Sequence, residues 1–214
     1  MRLTLLLSLS CFAGAASAAP VFLANHSFEE PVLNPGSFFY SPTQMPGWSS
    51  TATGGGDRGI WNTTAPGKDG ANIAFAYRDN AFAQQTTEIL QANETYTLTY
   101  LQGRTGNATR GTAELWAGGT LANGVVTGGA MVIALTVQMN QNEMTEYSFS
   151  YSPLASNPNL GGLITVRFAG TTETGESYVS FDNIRFESTA VPEPATMAVL
   201  GLAGLAVARR RRAR

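Results

Sequence analysis

Between residues 70 and 190 the chain is cut into short runs of period two, and no apolar pattern of helical period competes with them. Thr95–Gln102 (TYTLTYLQ) is the clearest. Tyr96, Leu98 and Tyr100 fall on one face, and Thr95, Thr97 and Thr99 on the other, as in a half-buried strand. Similar runs occupy Ala71–Tyr77, Ala81–Leu90, Thr112–Ala117, Met131–Met139, Thr145–Tyr151, Leu163–Ala169 and Ser177–Glu187, the last expected to bend near Asp182-Asn183. Upstream, Val21–Glu29 reads as a first strand, with short extended pieces at Ser37–Tyr40 and Ile60–Trp61. Pro31, Pro35, Pro42 and Pro46 make most of 30–48 a loop. Gly54-Gly55-Gly56-Asp57 is a loop without the Lys-Ser/Thr of a phosphate cradle. Pro66–Gly70 is a turn, and the glycine-rich stretch ending at Gly129 is read as a loop. No helix longer than a turn or two is expected before residue 190. About nine or ten short strands joined by turns predict an all-β fold, a β-sandwich.

The two ends of the chain differ from this middle. Arg2 followed by an apolar run from Leu3 to Ala15 and the small residues Ala16-Ser17-Ala18 form a signal peptide. Signal peptidase is expected to cut between Ala18 and Ala19 after export through the Sec translocon. Cys11 is the only cysteine, and Ser8 stands where a lipobox wants leucine, so lipidation is not expected. The mature chain is then free of cysteine, which excludes disulfides and thiolate-held metals in an oxidising compartment.

At the other end, Pro192-Glu193-Pro194 precedes an uncharged run, Ala195–Ala208, and then Arg209, Arg210, Arg211, Arg212 and Arg214. The run has no polar face, so it is not an amphipathic core helix. Fourteen residues of helix reach about 21 Å, against a hydrocarbon core of about 30 Å. A single short transmembrane helix over 195–208 therefore serves as a weak anchor, with the arginines orienting it toward the cytoplasm. This three-part tail resembles the PEP-CTERM sorting signal. The resemblance implies a Gram-negative producer of exopolysaccharide and handling by an exosortase, a membrane-embedded cysteine protease acting near the Pro-Glu-Pro triplet. The inner membrane is then a transient station, with the domain on its periplasmic side, before the cell surface or extracellular matrix. The expected division is 1–18 signal peptide, 19–190 β-sandwich and 191–214 sorting signal.

Between Ala19 and Ala190 stand 7 basic and 14 acidic residues. A domain of that charge has no electrostatic footprint for nucleic acid. Asn25-His26-Ser27-Phe28-Glu29, Pro46-Gly47-Trp48, Gln84-Gln85-Thr86, Tyr96-Thr97-Leu98 and Phe181-Asp182-Asn183-Ile184-Arg185-Phe186 together resemble galactose-binding-like jelly-roll domains, carbohydrate-binding modules among them. The resemblance implies a jelly-roll sandwich. It also implies that Glu29 and Asp182, on neighbouring strands, help to hold a structural calcium, completed by carbonyls and by Glu30. The alternative is a pair of carboxylates capping strand ends. No other cofactor is expected.

Sugars stack on exposed flat rings, so the aromatic residues divide by setting. Trp48 is expected in the core, while Trp61, in a polar loop-rich segment, and Tyr77 are candidate glycan platforms. Trp116 is left open between the two roles. An enzyme is disfavoured: His26 is the sole histidine, so triad and zinc sites would rest on one imidazole, and no acidic pair has the context of a glycosidase. Asn-x-Ser/Thr patterns at Asn25, Asn62, Asn93 and Asn107 mark exposed polar loops only. Two functional readings stay open. One is an exported surface or matrix protein associating with exopolysaccharide or the envelope. The other is a carbohydrate-binding module with a specific glycan; a small polysaccharide-acting enzyme is a more distant third.

Overall fold

The computed structural model describes residues 17–40, 45–50, 58–106, 110–139, 143–170 and 177–191. The expected membrane helix, Pro192-Glu193-Pro194, the tail arginines, most of the signal segment and Gly54–Gly56 lie outside the described residues. So no helix among the described residues is long and apolar enough to cross a membrane.

Two antiparallel sheets face each other. The larger contains β1 (Ala18–Val21), β2 (Phe38–Tyr40), β4 (Arg58–Asn62), β5 (Asn72–Tyr77), β7 (Glu94–Gly106), β12 (Thr145–Tyr151) and β14 (Ser177–Ala190). Its order is β12-β7-β14-β5-β4-β2, with β1 also paired to β14. The smaller contains β3 (Ser49–Ser50), β6 (Ala81–Ile89), β8 (Arg110–Ala117), β11 (Ala130–Gln138) and β13 (Leu163–Gly170), in the order β11-β8-β13-β6-β3. A separate hairpin joins β9 (Thr120–Ala122) to β10 (Val125–Thr127). The all-β sandwich read from the alternating runs is the observed fold.

The period-two reading of β7 is borne out residue by residue. Tyr96, Leu98 and Tyr100 are fully buried. Outside, Thr95, Thr97 and Thr99 share hydroxyl hydrogen bonds with Ser152, Ser150 and Ser148 at 2.7, 2.8 and 2.9 Å, a cross-strand ladder. Between the sheets, Phe82 and Phe168 stack at 5.5 Å on paired strands, and Phe181 reaches Phe168 from the opposite sheet at 5.0 Å. Trp48 meets Phe82 edge-on at 5.4 Å and is 4% exposed, so it is a core residue as expected. Burying rings of this size contributes roughly 1.5–3 kcal/mol each.

Two expectations are corrected. Val21–Glu29 is not a strand: β1 ends at Val21, and a turn follows. Asn25 (φ 47°) and Phe28 (φ 56°) take left-handed backbone, and the Asn25 amide bonds both the N–H and the carbonyl of Glu30. Local side-chain bonding outcompetes strand propensity there. The stretch before Gly129 is not a plain loop. Asn123-Gly124, at φ 48° and 70°, forms the two-residue turn of the β9–β10 hairpin, the turn type that Asn-Gly favours. The hairpin lies on the smaller sheet, with Gly124 N–H donating to Ser49 Oγ and Arg167 Nε to the Gly124 carbonyl. Arg167 in turn grips both oxygens of Glu114 at 2.7 and 2.8 Å, and Trp116 Nε1 donates to the same carboxylate. That gives Trp116 a structural role. The bend expected near Asp182-Asn183 is present as a register shift between Asp182 and Arg185, with Asn183 at φ 43°.

A candidate aromatic groove on the outer face of the larger sheet

Ala74, Ala76, Val179 and Phe181 point into the core. Strand alternation therefore turns Phe75, Tyr77, Tyr178 and Ser180 to the opposite, outer face. Register continues that face sideways, pairing Phe75 with Gly59 and Ser180, Gly59 with Tyr40, and Trp61 with Phe38. Gly59 is essential to the arrangement: a Cβ there would sit 1.6 Å from the Phe39 carbonyl oxygen and 3.3 Å from the Phe75 ring. Its bare backbone lets β2 close against β4 beside Phe75.

The result is a cavity of about 230 Å³ lined by Gly36, Phe38, Tyr40, Trp61, Phe75, Tyr178 and Ser180. Its rings hold one another edge-on: Phe38 to Tyr40 at 4.5 Å, Tyr40 to Phe75 at 5.7 Å and Phe75 to Tyr178 at 5.9 Å. A second cavity, about 320 Å³, shares Trp61 and Ser180 and adds Thr63, Thr64, Arg104, Glu143 and Met144. One wall comes from residues 143–144, which lie over Gly103; a Cβ there would meet the Glu143 carbonyl oxygen at 2.6 Å and Met144 Sδ at 2.7 Å. Together the two make a groove with an aromatic end and a polar end, and Trp61 stands between them.

Of the two candidate platforms, Trp61 lines both cavities. Tyr77 lines neither; it lies beside the aromatic end, 4.9 Å from the Tyr178 ring, with the Arg78 guanidinium 4.8 Å over its face. Sequence reasoning missed Phe38, Tyr40, Phe75, Tyr178, Arg104 and Glu143. The signal that could have found the rings was present: Phe75 and Tyr77 share one face of a strand whose opposite face, Ala74 and Ala76, is already small and apolar.

The carboxylate pair behaves differently. Asp182 is fully buried, and its oxygens accept N–H bonds from Asp69 at 2.6 Å and Asn183 at 2.7 Å. Glu29 Oε1 accepts from Ala71 at 3.0 Å and Asn72 at 2.9 Å. Burial pushes the Asp182 carboxyl up to about 7; the Asp69 and Glu29 charges add to the rise, and the two backbone hydrogen bonds oppose it. Lys68 gives its ammonium to the Gly70 carbonyl. Both carboxylates thus accept backbone N–H bonds, from the 69–72 turn and from Asn183. Among the described residues, no group of three or more His, Cys, Asp or Glu is placed to hold a metal. Ser27 Oγ lies 3.0 Å from His26 Nδ1 and donates to Asp69 Oδ2 at 3.1 Å; the three are strung through the serine, whereas a catalytic triad places the imidazole between serine and carboxylate.

A model of the family described as HpiC1 cyclase matches residues 19–187. The chain belongs to the HpiC1 cyclase family. Residues 190–212 match the PEP-CTERM protein-sorting motif, as the tail's three parts led us to expect. Such sorting implies export to the cell envelope or surface and processing by an exosortase. Among solved structures, the Stig cyclase Fisc from Fischerella sp. TAU, in complex with (3Z)-3-(1-methyl-2-pyrrolidinylidene)-3H-indole, aligns at TM-score 0.65 and 20% identity, over 82% of this chain and 100% of that one. A cyclase from Fischerella sp. TAU in complex with 4-(1H-indol-3-yl)butan-2-one aligns at 0.64 and 19%, over 82% and 100%. TmCBM61 in complex with beta-1,4-galactotriose aligns at 0.49 and 12%, over 78% and 98%. No curated protein matches the sequence. The HpiC1 cyclase family is one of enzymes, which goes against the expectation that this chain is not one.

Proposed function

We propose that this HpiC1 cyclase family member is an exported protein, held briefly at the inner membrane, released to the surface or matrix by an exosortase, and bound there to exopolysaccharide through the outer-face groove. The observation that carries this is the row Phe38, Tyr40, Trp61, Phe75 and Tyr178, with Ser180, Arg104 and Glu143 adjoining. Flat apolar rings beside a few hydrogen-bonding groups suit the faces and edges of sugar rings. Titration of the full chain with fragments of the producing organism's own polysaccharide tests it; no saturable binding at millimolar sugar defeats it.

A second reading is favoured by the family: cyclisation of a small substrate in the same groove. Two of the solved cyclases were obtained with indole compounds, and the rings lining the aromatic end could stack on such a substrate. Against it, Glu143 is the only carboxylate lining either cavity among the described residues, and it is exposed to water. A proton donor there lacks the shielding that desolvation gives. Turnover of an indole substrate, abolished by Glu143→Gln, would establish this reading in place of the first.

For the sorting route, mass spectrometry of the extracellular protein is expected to find Ala19 at its start and loss of the residues after Pro192-Glu193-Pro194. Intact Arg214 on all of it would refute processing. Glu29 and Asp182 are the residues that would hold a structural calcium. The observation behind it is that Asp182, fully buried, and Glu29 both hold the 69–72 turn; with no group of three or more His, Cys, Asp or Glu placed for a metal among the described residues, backbone carbonyls would have to supply most of the ligands. Calcium would neutralise that end of the sandwich and tie the 25–30 turn to β14. A melting temperature that EDTA lowers and calcium restores supports the site; one that EDTA leaves unchanged ends it.

A further inference from the structure

The chain leaves almost no slack between the folded sheet and its sorting tail. β14 stays paired with β7 as far as Ala190, opposite Glu94, and Val191 N–H donates to the Asn93 carbonyl at 2.7 Å. The apolar run begins at Ala195, so at most about 14 Å of extended chain separates the sheet from it. Ala18, the first residue of β1, pairs with Thr189 at this same end. Both terminal segments therefore depart from one end of the sandwich.

That end carries exposed apolar side chains on four separate elements. Ile89, 41% exposed, closes β6 and pairs with Leu163, 39% exposed, at the start of β13. Leu154, 75% exposed, lies in the turn after β12, and Val191, 44% exposed, follows β14. Single exposed apolar residues are ordinary; these share the one end that the tail ties to lipid. The segments that build the end, 86–95, 150–163 and 186–191, contain no Lys or Arg, so attraction to anionic lipid is not available.

We propose that, while the tail is in place, this end of the sandwich rests on the membrane, with Ile89, Leu154, Leu163 and Val191 dipping into the headgroup layer of neutral, zwitterionic phospholipid. This rests on the reading that the tail enters the bilayer. The geometry has a consequence for the groove. Ser180 lies ten residues up β14 from Ala190, about 30 Å at strand rise, so the aromatic cavity is held clear of the membrane until the tail is cut.

The test uses the full chain with Cys11→Ser, reconstituted in phosphatidylcholine vesicles carrying nitroxide lipids. An environment-sensitive fluorophore is placed at Ala203→Cys in the tail, at Ala155→Cys beside Leu154, or at Ser37→Cys beside the groove. The tail label is expected to be quenched by deep nitroxides, the 155 label by shallow ones, and the 37 label by neither. Changing Ile89, Leu154 and Leu163 together to Ser is expected to cut quenching at 155 about tenfold while leaving the tail label quenched. A quenched tail label with position 155 behaving like position 37 overturns the proposal alone. An unquenched tail label overturns the membrane reading and the proposal with it.

Discussion

Trp61 and Gly59 show how single residues set the groove, and how unequally a sequence announces them. A tryptophan in a polar segment is conspicuous, and Trp61 does stand where both cavities meet. Gly59 looks like one glycine among 23; only the pairing of β2 with β4 reveals that no side chain fits there. Gly59→Ala is expected to destabilise the protein by about 3 kcal/mol, seen as a lowered denaturant midpoint, and to weaken ligand binding as β2 moves away. Glu29 and Asp182 were legible as a pair because the bracketing segments carry them. Their hydrogen bonds to the 69–72 turn were not, because a loop's backbone direction leaves no trace in composition. Glu29→Gln keeps the shape but weakens the acceptor for Ala71 and Asn72; a loss of roughly 1–2 kcal/mol in chemical denaturation is expected.

At the scale of elements, the strands were legible wherever one face is buried and the other wet, because burial imposes the alternation directly. β7, β13 and β14 fall where their runs predicted. The misreadings occurred where turn chemistry rules. Asn25 and Phe28 fold 22–29 back on itself, and Asn123-Gly124 makes a hairpin inside a glycine-rich stretch. Tyr96 shows how a connection is secured: its hydroxyl donates to the Ile89 carbonyl and accepts from Gln91 N–H, both at 2.8 Å, pinning the β6–β7 link. Tyr96→Phe leaves those two groups short of a partner and is expected to cost about 1–3 kcal/mol. Burial, followed by the Glu88 and Glu94 charges, pushes the Tyr96 hydroxyl up to about 12, against the lowering by its Gln91 bond. A folded pKa above the unfolded value near 10 stabilises fully below pH 10, and that contribution disappears as pH rises through 12. Alkaline denaturation curves should therefore fall more steeply over that window in the wild type than in Tyr96→Phe.

For the whole molecule, export and sorting were legible because targeting segments act as linear sequence, read before or apart from folding. The sandwich was legible as a class. The groove was not, since its rings come from β2, β4, β5 and β14 and meet only through sheet order. The cyclase family was missed for a related reason: its match runs over the whole of 19–187, and no compact motif of His, Cys or paired acids carries it. The larger sheet ends at Ala190 and holds its groove on the outer face, some ten residues up β14 at Ser180. Under the proposed docking, that arrangement would give one end to lipid and leave the groove to the matrix.

The most direct test is intrinsic tryptophan fluorescence during titration with oligosaccharides from the organism's own exopolysaccharide. Trp48 is sealed in the core and Trp116 is tied to Glu114, so Trp61 is the reporter at the groove. The wild type is expected to give a saturable change in emission, and Trp61→Ala, which lacks the reporter and is titrated by calorimetry beside the wild type, to bind about tenfold more weakly, the scale of one lost ring contact, while melting within a few degrees of the wild type. Equal affinity in Trp61→Ala, or no saturable change in the wild type, would contradict the assignment of the groove.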